Sequence, residues 1–497
     1  MIAKKKYQSF DRTRRAGILL HPTSLPESIG NGDFGHEAYR FIEFLNSCGF
    51  KVWQMLPLGP THKEKSPYQC LSSHAGNPLL ISLDWLVDKG WLNKDKVDKT
   101  LTDDDYRKTC LQQAGENFYQ LDEQEWTIKI SGFSKQHDYW LDDYALFIAF
   151  KSIYKNKPWY EWPAAARHRT EEAVSEVRSE LKNNIKQTIF EQFVFFTQWH
   201  EIREYAKKHK VELFGDMPIF VAKDSADVWA KRENFLMDVD GNMPLVSGVP
   251  PDAFSDSGQR WGNPLYDWKY MQSTQFNWWK ERFKTQIELF DIVRIDHFRG
   301  LQACWTIPFN EDTAINGEWV EVPGQEMLNE LYQSFENLPL VAEDLGVITK
   351  PVIELKESFN LPGMKVLQFA FDGNNANPHL PHHHEVTDVI YTGTHDNNTV
   401  KGWLSQETYE GTLNRIMRYQ GKELSKKYVH MDMIRFAYAS NARLIIIPMQ
   451  DWLGLDENSR MNFPSTTKGN WIWKIKSEEL TRKLQEQIGW YVKTFGR

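Results

Sequence analysis

The sequence predicts an α/β fold, a closed (β/α)8 TIM barrel with largely helical subdomains inserted into it. Short apolar segments of strand character recur eight times along the chain, helical patterns or long loops separate them, and four segments end in acidic residues. The carboxyl ends of parallel barrel strands surround the active site, so these acids are expected in one pocket. The predicted strands span residues 16–21, 52–58, 213–219, 292–297, 340–345, 365–370, 389–396 and 443–448.

An open, doubly wound sheet is the alternative arrangement. It would need a glycine-rich phosphate-binding turn after the first strand. Residues 30–35 resemble such a turn in spacing, but they do not match GxGxxG and no nucleotide-binding acid pattern follows. The chain also has no Walker A sequence and no HExxH motif. We therefore favour the closed barrel and expect no cofactor.

The connections between the predicted strands fit the same fold. A helix that begins near His36 and ends at Gly49 joins the first two strands into a βαβ unit, which requires them to be parallel. Residues 84–210 carry mainly helical patterns and are too long for a connection, so they are predicted to form a subdomain beside the barrel. Residues 220–275 are a loop-rich insertion that is predicted to include a lid over the active site.

The later part of the chain continues the alternation of strands and helices. A helix capped by Thr349 is predicted after the fifth strand, and a closing helix carries Leu480, Leu484 and Ile488 on one stripe. The tail after the eighth strand is short. Residues 1–497 are predicted to form a single catalytic barrel.

Composition limits the partners and the compartment. The formal net charge is −8, with no basic stripe for nucleic acid and no polybasic anchor or long apolar run for a membrane. No apolar segment follows the basic start, so no signal peptide is predicted. The four cysteines form no CxxC pair and no zinc spacing, which is typical of free thiols in a reducing cytoplasm.

The acids at the strand ends suggest glycosyl transfer. The fourth strand carries Arg294 and then Asp296, an arrangement that holds the carboxylate ionised as a nucleophile, although a purely structural ion pair is the alternative. Glu343 follows three apolar residues and precedes Asp344, which favours a protonated acid/base. Retaining glycosyl transfer needs this pair of carboxyl groups. Asp396, on the seventh strand, is predicted to bind sugar hydroxyls.

Motifs along nearly the whole chain resemble those of the 4-α-glucanotransferases, the amylomaltase or disproportionating-enzyme family of the α-amylase clan. Each motif is short, but together and in order they are specific. They are SPYQ at 66–69, GNP at 76–78, GDMP at 215–218, GVPPD at 248–252, WGNPLY at 261–266, RIDHFRG at 294–300, AEDLG at 342–346, TGTHDN at 392–397 and RMN at 460–462, with Trp471 following.

The resemblance implies an enzyme that moves α-1,4-glucan segments from a donor to the 4-hydroxyl of an acceptor glucan or glucose by double displacement. It also implies a barrel with inserted subdomains and no C-terminal β-sandwich domain, which agrees with the short tail. It implies the same roles for the three acids: nucleophile, acid/base and transition-state stabiliser. It also implies that Trp261 and Phe254 stack on the glucan beyond the reacting sugar. The remaining implied substrate-binding residues are Ser66, Tyr68, Asn77, Asp216, Asp252, Asn263, Arg294, His297 and His395.

Several alternatives stay open at this level. An α-amylase-like hydrolase uses the same acids, although the loops at 252–268 favour transfer, and a catalytically dead glucan-binding scaffold would keep the fold. Tyr68 and Trp261 could be core aromatics, but their Pro- and Gly-rich loops favour a site. His379 and the histidines at 382–384 lack a spaced carboxylate partner, so no metal site is predicted. The expected partners are α-1,4-glucans, and the chain is expected to be a monomer or a weak homodimer.

Overall fold

The structure, a computed structural model, describes residues 13–26, 31–98, 103–121, 123–251, 255–408, 410–425 and 427–497. Strands and helices alternate along most of the chain. The strands are β1 (Arg15–Leu19), β2 (Val52–Gln54), β3 (Glu212–Pro218), β4 (Leu245–Val249), β5 (Gln259–Pro264), β6 (Ile292–Asp296), β7 (Ala303–Pro308), β8 (Glu318–Glu321), β9 (Leu340–Ala342), β10 (Met364–Val366), β11 (Val389–Tyr391) and β12 (Leu444–Pro448).

The helices cover the outside of the sheet and form the insertion. They are α1 (His36–Cys48), α2 (Leu83–Asp88), α3 (Asp104–Leu121), α4 (Gln124–Gln136), α5 (Leu141–Ile153), α6 (Ala164–Arg167), α7 (Glu171–Glu180), α8 (Lys182–Lys208), α9 (Ala226–Ala230), α10 (Trp268–Ser273), α11 (Asn277–Leu289), α12 (Gly324–Ser334), α13 (Lys350–Ser358), α14 (Val400–Gln406), α15 (Glu410–Gln420), α16 (Val429–Ala439), α17 (Met449–Leu453) and α18 (Arg482–Thr494). Within the described ranges, none of them has the length and apolar character needed to cross a bilayer.

Eight strands form one parallel sheet in the order β10-β11-β12-β1-β2-β3-β6-β9. The two end strands also lie side by side, because the amide of Ala342 donates to the carbonyl of Pro362 at 2.8 Å. In addition, the amide of Met364 donates to Asp344 Oδ1 at 2.6 Å. The sheet therefore closes on itself, which confirms the predicted (β/α)8 barrel.

Apolar side chains from all eight barrel strands fill its interior. They include Leu19, Val52, Phe214, Ile292, Val341, Met364, Val389 and Leu444, all nearly inaccessible to solvent. At Gly17 the neighbouring strand comes so close that a Cβ atom would lie 2.5 Å from the carbonyl oxygen of Val52. Only glycine fits there, and the tight interior leaves the strand ends as the place for a pocket.

Helix α1 joins β1 and β2 into the predicted βαβ unit, in which the two strands are parallel. Helix α1 ends where Gly49 adopts a left-handed conformation with φ of 84°. Among the described residues of 84–210 there are helices and no strand. Thr349 is the N-cap residue of α13 as predicted, although its side chain makes no capping hydrogen bond. One predicted helix detail is wrong, because Leu480 lies before α18, whose capping side chain belongs to Thr481.

Four barrel strands end three or more residues earlier than predicted. Strand β2 ends at Gln54, β9 ends at Ala342, β10 gives way to a 3₁₀ turn at Leu367–Phe369, and β11 ends at Tyr391. Polar side chains beyond these points bond to nearby backbone amides instead of extending the ladder, as Glu343 does with the amide of Leu345 at 2.8 Å. The carboxylates after β9 and β11 are therefore delivered from loops at the barrel mouth.

A second sheet was not predicted from the sequence. Four antiparallel strands in the order β5-β4-β7-β8 stand beside the barrel. Two of them arise in the 220–275 insertion and two follow β6, so pairing joins segments far apart in sequence. Strand β5 reads Gln-Arg-Trp-Gly-Asn-Pro, which has neither alternation nor an apolar run. This sheet carries Trp261 toward the active site.

Candidate active site

The predicted acids meet at the carboxyl end of the barrel. Asp216 lies within β3 and pairs in register with Arg294 of the adjacent β6. Asp296 is the last residue of β6, Glu343 follows β9 directly, and Asp396 lies five residues beyond β11. Since β3, β6 and β9 are neighbours in the sheet, the first four of these side chains share one side of the barrel mouth.

A continuous chain of polar contacts links Tyr68 to Asp296. The Tyr68 hydroxyl donates to Asp216 Oδ2 at 2.6 Å. Arg294 Nη1 donates to both oxygens of Asp216, at 2.7 and 2.6 Å, and Arg294 Nη2 lies 2.9 Å from Asp296 Oδ1. One guanidinium therefore lies between two carboxylates. Asp216 and Arg294 are buried, whereas the Asp296 side chain is 28% exposed and faces the pocket.

Asp296 and Glu343 have pKa values that differ in the direction their predicted roles need. Burial raises the pKa of Asp296 to about 6, and the charge of Arg294 opposes the rise. Burial raises the pKa of Glu343 to about 7, with the same opposition from Arg294 and a further rise from the charge of Asp296. Near neutral pH, Asp296 is therefore mainly ionised while Glu343 retains a large protonated fraction.

The turn after β6 connects these two acids. His297 adopts a left-handed conformation with φ of 53°, which favours glycine and is uncommon for histidine. In this conformation its amide donates to Glu343 Oε2 at 2.7 Å, and the amide of Leu345 donates to Glu343 Oε1 at 2.8 Å. Both carboxyl oxygens of Glu343 thus accept hydrogen bonds from neutral backbone amides, and one of these amides belongs to His297, the residue next to Asp296.

Asp396 is held by a different set of groups. Its Oδ2 lies 3.3 Å from His395 Nε2, and Asn462 Nδ2 donates to its Oδ1 at 2.7 Å. Burial works against ionisation, but the charge and hydrogen bond of His395 and the bond from Asn462 together hold the pKa of Asp396 well below its usual range. Burial likewise lowers the pKa of His395, yet Asp396 reverses the shift and the net change is upward. The Asp396 anion and the protonated form of His395 therefore stabilise each other.

Aromatic rings form the walls of the pocket. The rings of Tyr68 and His395 stack at 5.0 Å and 13°, and Trp471 lies 6.1 Å from Tyr68 and 6.0 Å from His395. On the other side, Trp261 meets the ring of His297 edge-on at 4.8 Å. Tyr68 and Trp261 are both partly exposed. Partial exposure fits the predicted site role of both residues, although Trp261 also packs against the hydrophobic core, so this role stays a prediction.

Three predicted binding residues support the loops around the pocket. Ser66 Oγ accepts from the amide of Tyr68 at 3.4 Å, and Asn77 Oδ1 accepts from the amide of Leu79 at 3.0 Å. Asn263 is buried and its Nδ2 donates to the carbonyl of Val221 at 2.9 Å. Two further predicted residues, Asp252 and Phe254, lie outside the described residues.

The histidines of the 379–384 loop have structural partners. His379 Nδ1 accepts from the amide of Val366 at 3.1 Å. His384 Nε2 bonds to the carbonyl of His379 at 2.9 Å, and His382 Nδ1 lies 3.0 Å from the Tyr419 hydroxyl. Where the structure describes the chain, no group of three or more His, Cys, Asp or Glu could hold a metal ion.

Comparison with known proteins decides the family. A family model described as 4-alpha-glucanotransferase matches residues 20–481. The chain belongs to the 4-alpha-glucanotransferase family. The 4-alpha-glucanotransferase of Synechocystis sp. is 44% identical over 97% of this chain and 98% of its own length, and that of Aquifex aeolicus is 41% identical over 96% and 99%. The amylomaltase of Streptococcus agalactiae in complex with acarbose matches with a TM-score of 0.93 and 36% identity, covering 97% of this chain and 99% of its own.

These findings confirm the activity predicted for the 4-alpha-glucanotransferase, the transfer of α-1,4-glucan segments. Sequence reasoning missed residues that support the site from the C-terminal part of the chain. Asn462 contacts Asp396 directly, and Arg460 Nη2 donates to the carbonyl of Asp396 at 2.6 Å. Trp471 has a φ of 64°, strained for a tryptophan. The RMN motif and Trp471 marked the region as part of the resemblance, but nothing in their spacing indicated contact with the seventh strand.

Asp396→Asn in this 4-alpha-glucanotransferase should lower kcat by about 10²–10³-fold, the usual effect of losing a group that stabilises charge in the transition state. The amide can still bond to Asn462 but no longer carries the charge that pairs with His395. The loss should fall on kcat more than on KM, measured with maltotriose.

Two observations check this prediction for Asp396. The pKa of His395, followed by NMR of its ring protons, should fall in the variant because its anionic partner is gone. A defect confined to KM would instead show that Asp396 is an ordinary substrate-binding residue.

Proposed function

We propose that this 4-alpha-glucanotransferase works by double displacement with Asp296 as nucleophile, Glu343 as general acid/base and Asp396 as transition-state stabiliser. The observation that carries this division of roles is the different surroundings of the carboxyls. Asp296 bonds to a guanidinium and faces the pocket, whereas the described hydrogen bonds of Glu343 come from neutral amides. The guanidinium favours the Asp296 anion, whereas burial and the nearby charge of Asp296 raise the pKa of Glu343 in spite of Arg294 and the two amide donors.

In the first step the Asp296 carboxylate attacks the anomeric carbon of a donor glucosyl unit. The bond to the leaving glycosidic oxygen breaks, and Glu343 donates its proton to that oxygen. The donor's reducing-end fragment leaves and a glucosyl ester on Asp296 remains. Asp396, fixed by His395 and Asn462, binds hydroxyls of the ring as positive charge develops on it.

In the second step the 4-hydroxyl of an acceptor sugar attacks the same anomeric carbon. Glu343, now ionised, removes the proton from that hydroxyl, and the Asp296 carboxylate is released. The configuration is retained because the carbon is inverted twice. Water in place of the acceptor would give hydrolysis, so the balance between transfer and hydrolysis depends on how well sugars occupy the acceptor side.

The surrounding residues receive proposed roles from their positions. Tyr68 and His395 offer a stacked wall for the sugar at the reacting position, and Trp261 offers a face for the glucan beyond it. Asp216 is buried and bonds to Arg294 and Tyr68, so it orients both side chains, and it remains a proposed binding residue from the family resemblance. Ser66, Asn77 and Asn263 act by holding the loops, and Asp252 and Phe254 remain proposed binding residues from the family resemblance.

Product analysis with maltotriose tests the proposed function. Transfer gives glucose together with a ladder of longer maltooligosaccharides. Glucose and maltose alone would mean an α-amylase-like hydrolase, and an absence of products would mean a glucan-binding scaffold. Acarbose, which the Streptococcus agalactiae amylomaltase binds, should compete with maltotriose for the site, and binding without turnover would identify the scaffold.

A departure from the family pattern leads to a prediction about the lid. Where the family usually has a tyrosine, this chain has Ala253, which lies outside the described residues. Ala253→Tyr adds an aromatic face, worth ~1 kcal/mol by analogy with other aromatic contacts. The acceptor KM should fall, and the ratio of newly formed reducing ends to released glucose should fall with it. An unchanged ratio would show that position 253 does not control water.

The cellular location and the oligomeric state are proposed from the sequence and the cysteines. We propose a cytoplasmic location, supported by four cysteines that are all free thiols, and a monomer or weak homodimer without nucleic-acid or membrane partners. Light scattering across a dilution series tests the oligomeric state.

A further inference from the structure

The loop at residues 392–400 joins β11 to α14 and carries both His395 and Asp396. Its position sets where the Asp396 carboxylate meets the substrate. Inside the loop, Asn397 Oδ1 accepts from the amide of Thr394 at 2.8 Å, which fixes local shape but not the position of the loop on the barrel. Gln368, which follows β10, makes a side-chain hydrogen bond to the loop: its Nε2 donates to the carbonyl of Asn398 at 2.8 Å.

The two ends of the 392–400 loop meet at one buried carboxylate. Asp451, in α17 after β12, is 1% exposed. Its Oδ2 accepts from the Thr392 hydroxyl at 2.5 Å, and its Oδ1 accepts from the amide of Val400 at 2.7 Å. Thr392 is itself fully buried. Each carboxyl oxygen therefore holds one end of the loop, and the adjacent strand β12 provides the support.

Packing beneath the loop is incomplete. A cavity of about 30 Å³ lies there, lined in part by His21, His395, Asn398 and Asp451. His21 lines this cavity, and its buried Nδ1 has no hydrogen-bond partner among the described residues. Because side chains do not fill this volume, hydrogen bonds such as those to Asp451 contribute, together with packing, to how the loop stands on the barrel end.

We infer that Asp451 is a positioning residue for the transfer reaction, which acts by fixing the 392–400 loop at both ends and thereby placing Asp396. This inference rests on the proposed role of Asp396. A carboxylate that accepts from a hydroxyl and an amide makes stronger bonds than a neutral acceptor, and a displacement of about 1 Å at a reacting site costs about 10²-fold in rate. The rate that a correctly placed loop preserves is thus a reason for a buried charge at Asp451.

Thr392 gives the cleaner test of this role. Its hydroxyl makes one of the two hydrogen bonds to Asp451, and replacing Thr392 by valine or serine changes only one heavy atom of the side chain. Thr392→Val keeps the shape and removes the hydroxyl, so kcat with maltotriose should fall by about 10- to 10²-fold, with a much smaller change in KM. Thr392→Ser restores the hydroxyl and should restore most of kcat. Asp451→Asn, which can still accept from Val400, should lie between Thr392→Val and the wild type.

Asp388→Asn is the matched control for a general loss of stability. Asp388 is also buried, but it precedes β11 at the opposite end of the barrel, where it accepts from the amide of Glu385 at 2.8 Å. All variants are assayed well below their measured Tm. The control should lose stability and keep kcat. An equal fall in kcat for Asp388→Asn, an unimpaired Thr392→Val, or a serine variant as slow as the valine variant would overturn the inference.

Parallel assays of Asp396→Asn separate this inference from the proposed function. If Asp396→Asn is nearly inactive and Thr392→Val is unimpaired, the positioning role of Asp451 fails while the role of Asp396 stands. If Asp396→Asn itself keeps its activity, both fail. Loss in both variants, with rescue by serine at position 392, supports both.

Discussion

Asp296→Asn should reduce transfer from maltotriose by at least about 10⁴-fold, the scale of losing a nucleophile from a cooperative catalytic set. In the wild type Arg294 Nη2 lies 2.9 Å from Asp296 Oδ1, and the amide oxygen of the asparagine variant can still accept a hydrogen bond from it. Arg294 also keeps both bonds to Asp216, so no buried cation is left unpaired. The fold and glucan binding should therefore survive, and the loss should appear in kcat, measured by glucose release.

Asp291→Asn is the matched control for Asp296→Asn. Asp291 precedes the same strand, β6, at its opposite end and is also paired with an arginine, Arg203, at 2.8 Å. Its second oxygen accepts from the amide of Leu213 at 2.9 Å. The control should lose some stability but keep kcat. Transfer near the wild-type rate in Asp296→Asn would exclude this residue as the nucleophile and leave the Arg294 contact as a structural ion pair.

The barrel could be predicted because each of its strands is a local apolar pattern. Eight such patterns, separated by helices or long loops, match the number of strands that closes a (β/α)8 barrel. The same reasoning extended β9 and β11 too far, since an apolar run says nothing about where the ladder stops. Glu343 and Asp396 stand on loops, and their positions depend on backbone amides and on Asn462, which comes from far along the chain. Such contacts are decided by the closed fold and leave no local signal.

The electrostatic roles were only partly readable. The alternation of Arg294 and Asp296 on one face of β6 indicated their ion pair, and the structure places them in contact. The sequence could not show that Asp216 occupies the other side of the same guanidinium, because that contact arises from the register of β3 against β6. The structure shows that Asp216 bonds to Arg294 and Tyr68, and its predicted role as a sugar ligand stays a prediction.

The pKa shifts predict a bell-shaped dependence of transfer on pH. Asp296 must be ionised, so activity should be lost as the pH falls through about 6, where burial places its pKa. Glu343 must be protonated for the first step, so activity should be lost as the pH rises through about 7. Because these groups interact, the two limbs report the pair, and the optimum should lie between them.

Glu343→Gln should slow the first step with maltotriose by about 10²–10⁴-fold, the usual contribution of a general acid. With α-glucosyl fluoride as donor, the same step should be nearly unaffected, because fluoride leaves without protonation. A burst of fluoride release would report it directly. The alkaline limb of the pH profile should vanish for that donor, while the acid limb, which belongs to Asp296, should remain.

The cradle around Glu343 calls for a second variant. Both carboxyl oxygens accept backbone N–H groups, from His297 and Leu345. A glutamine has only one oxygen, so its NH₂ group would face a donor and cost about 1–3 kcal/mol. Glu343→Ala avoids that clash and leaves space for azide, a nucleophile that needs no general base. Azide should restore the second step in the alanine variant and yield glucosyl azide of retained configuration. If maltotriose and α-glucosyl fluoride lost equal rate in the first step, and azide gave no rescue, the acid/base role would belong to another residue.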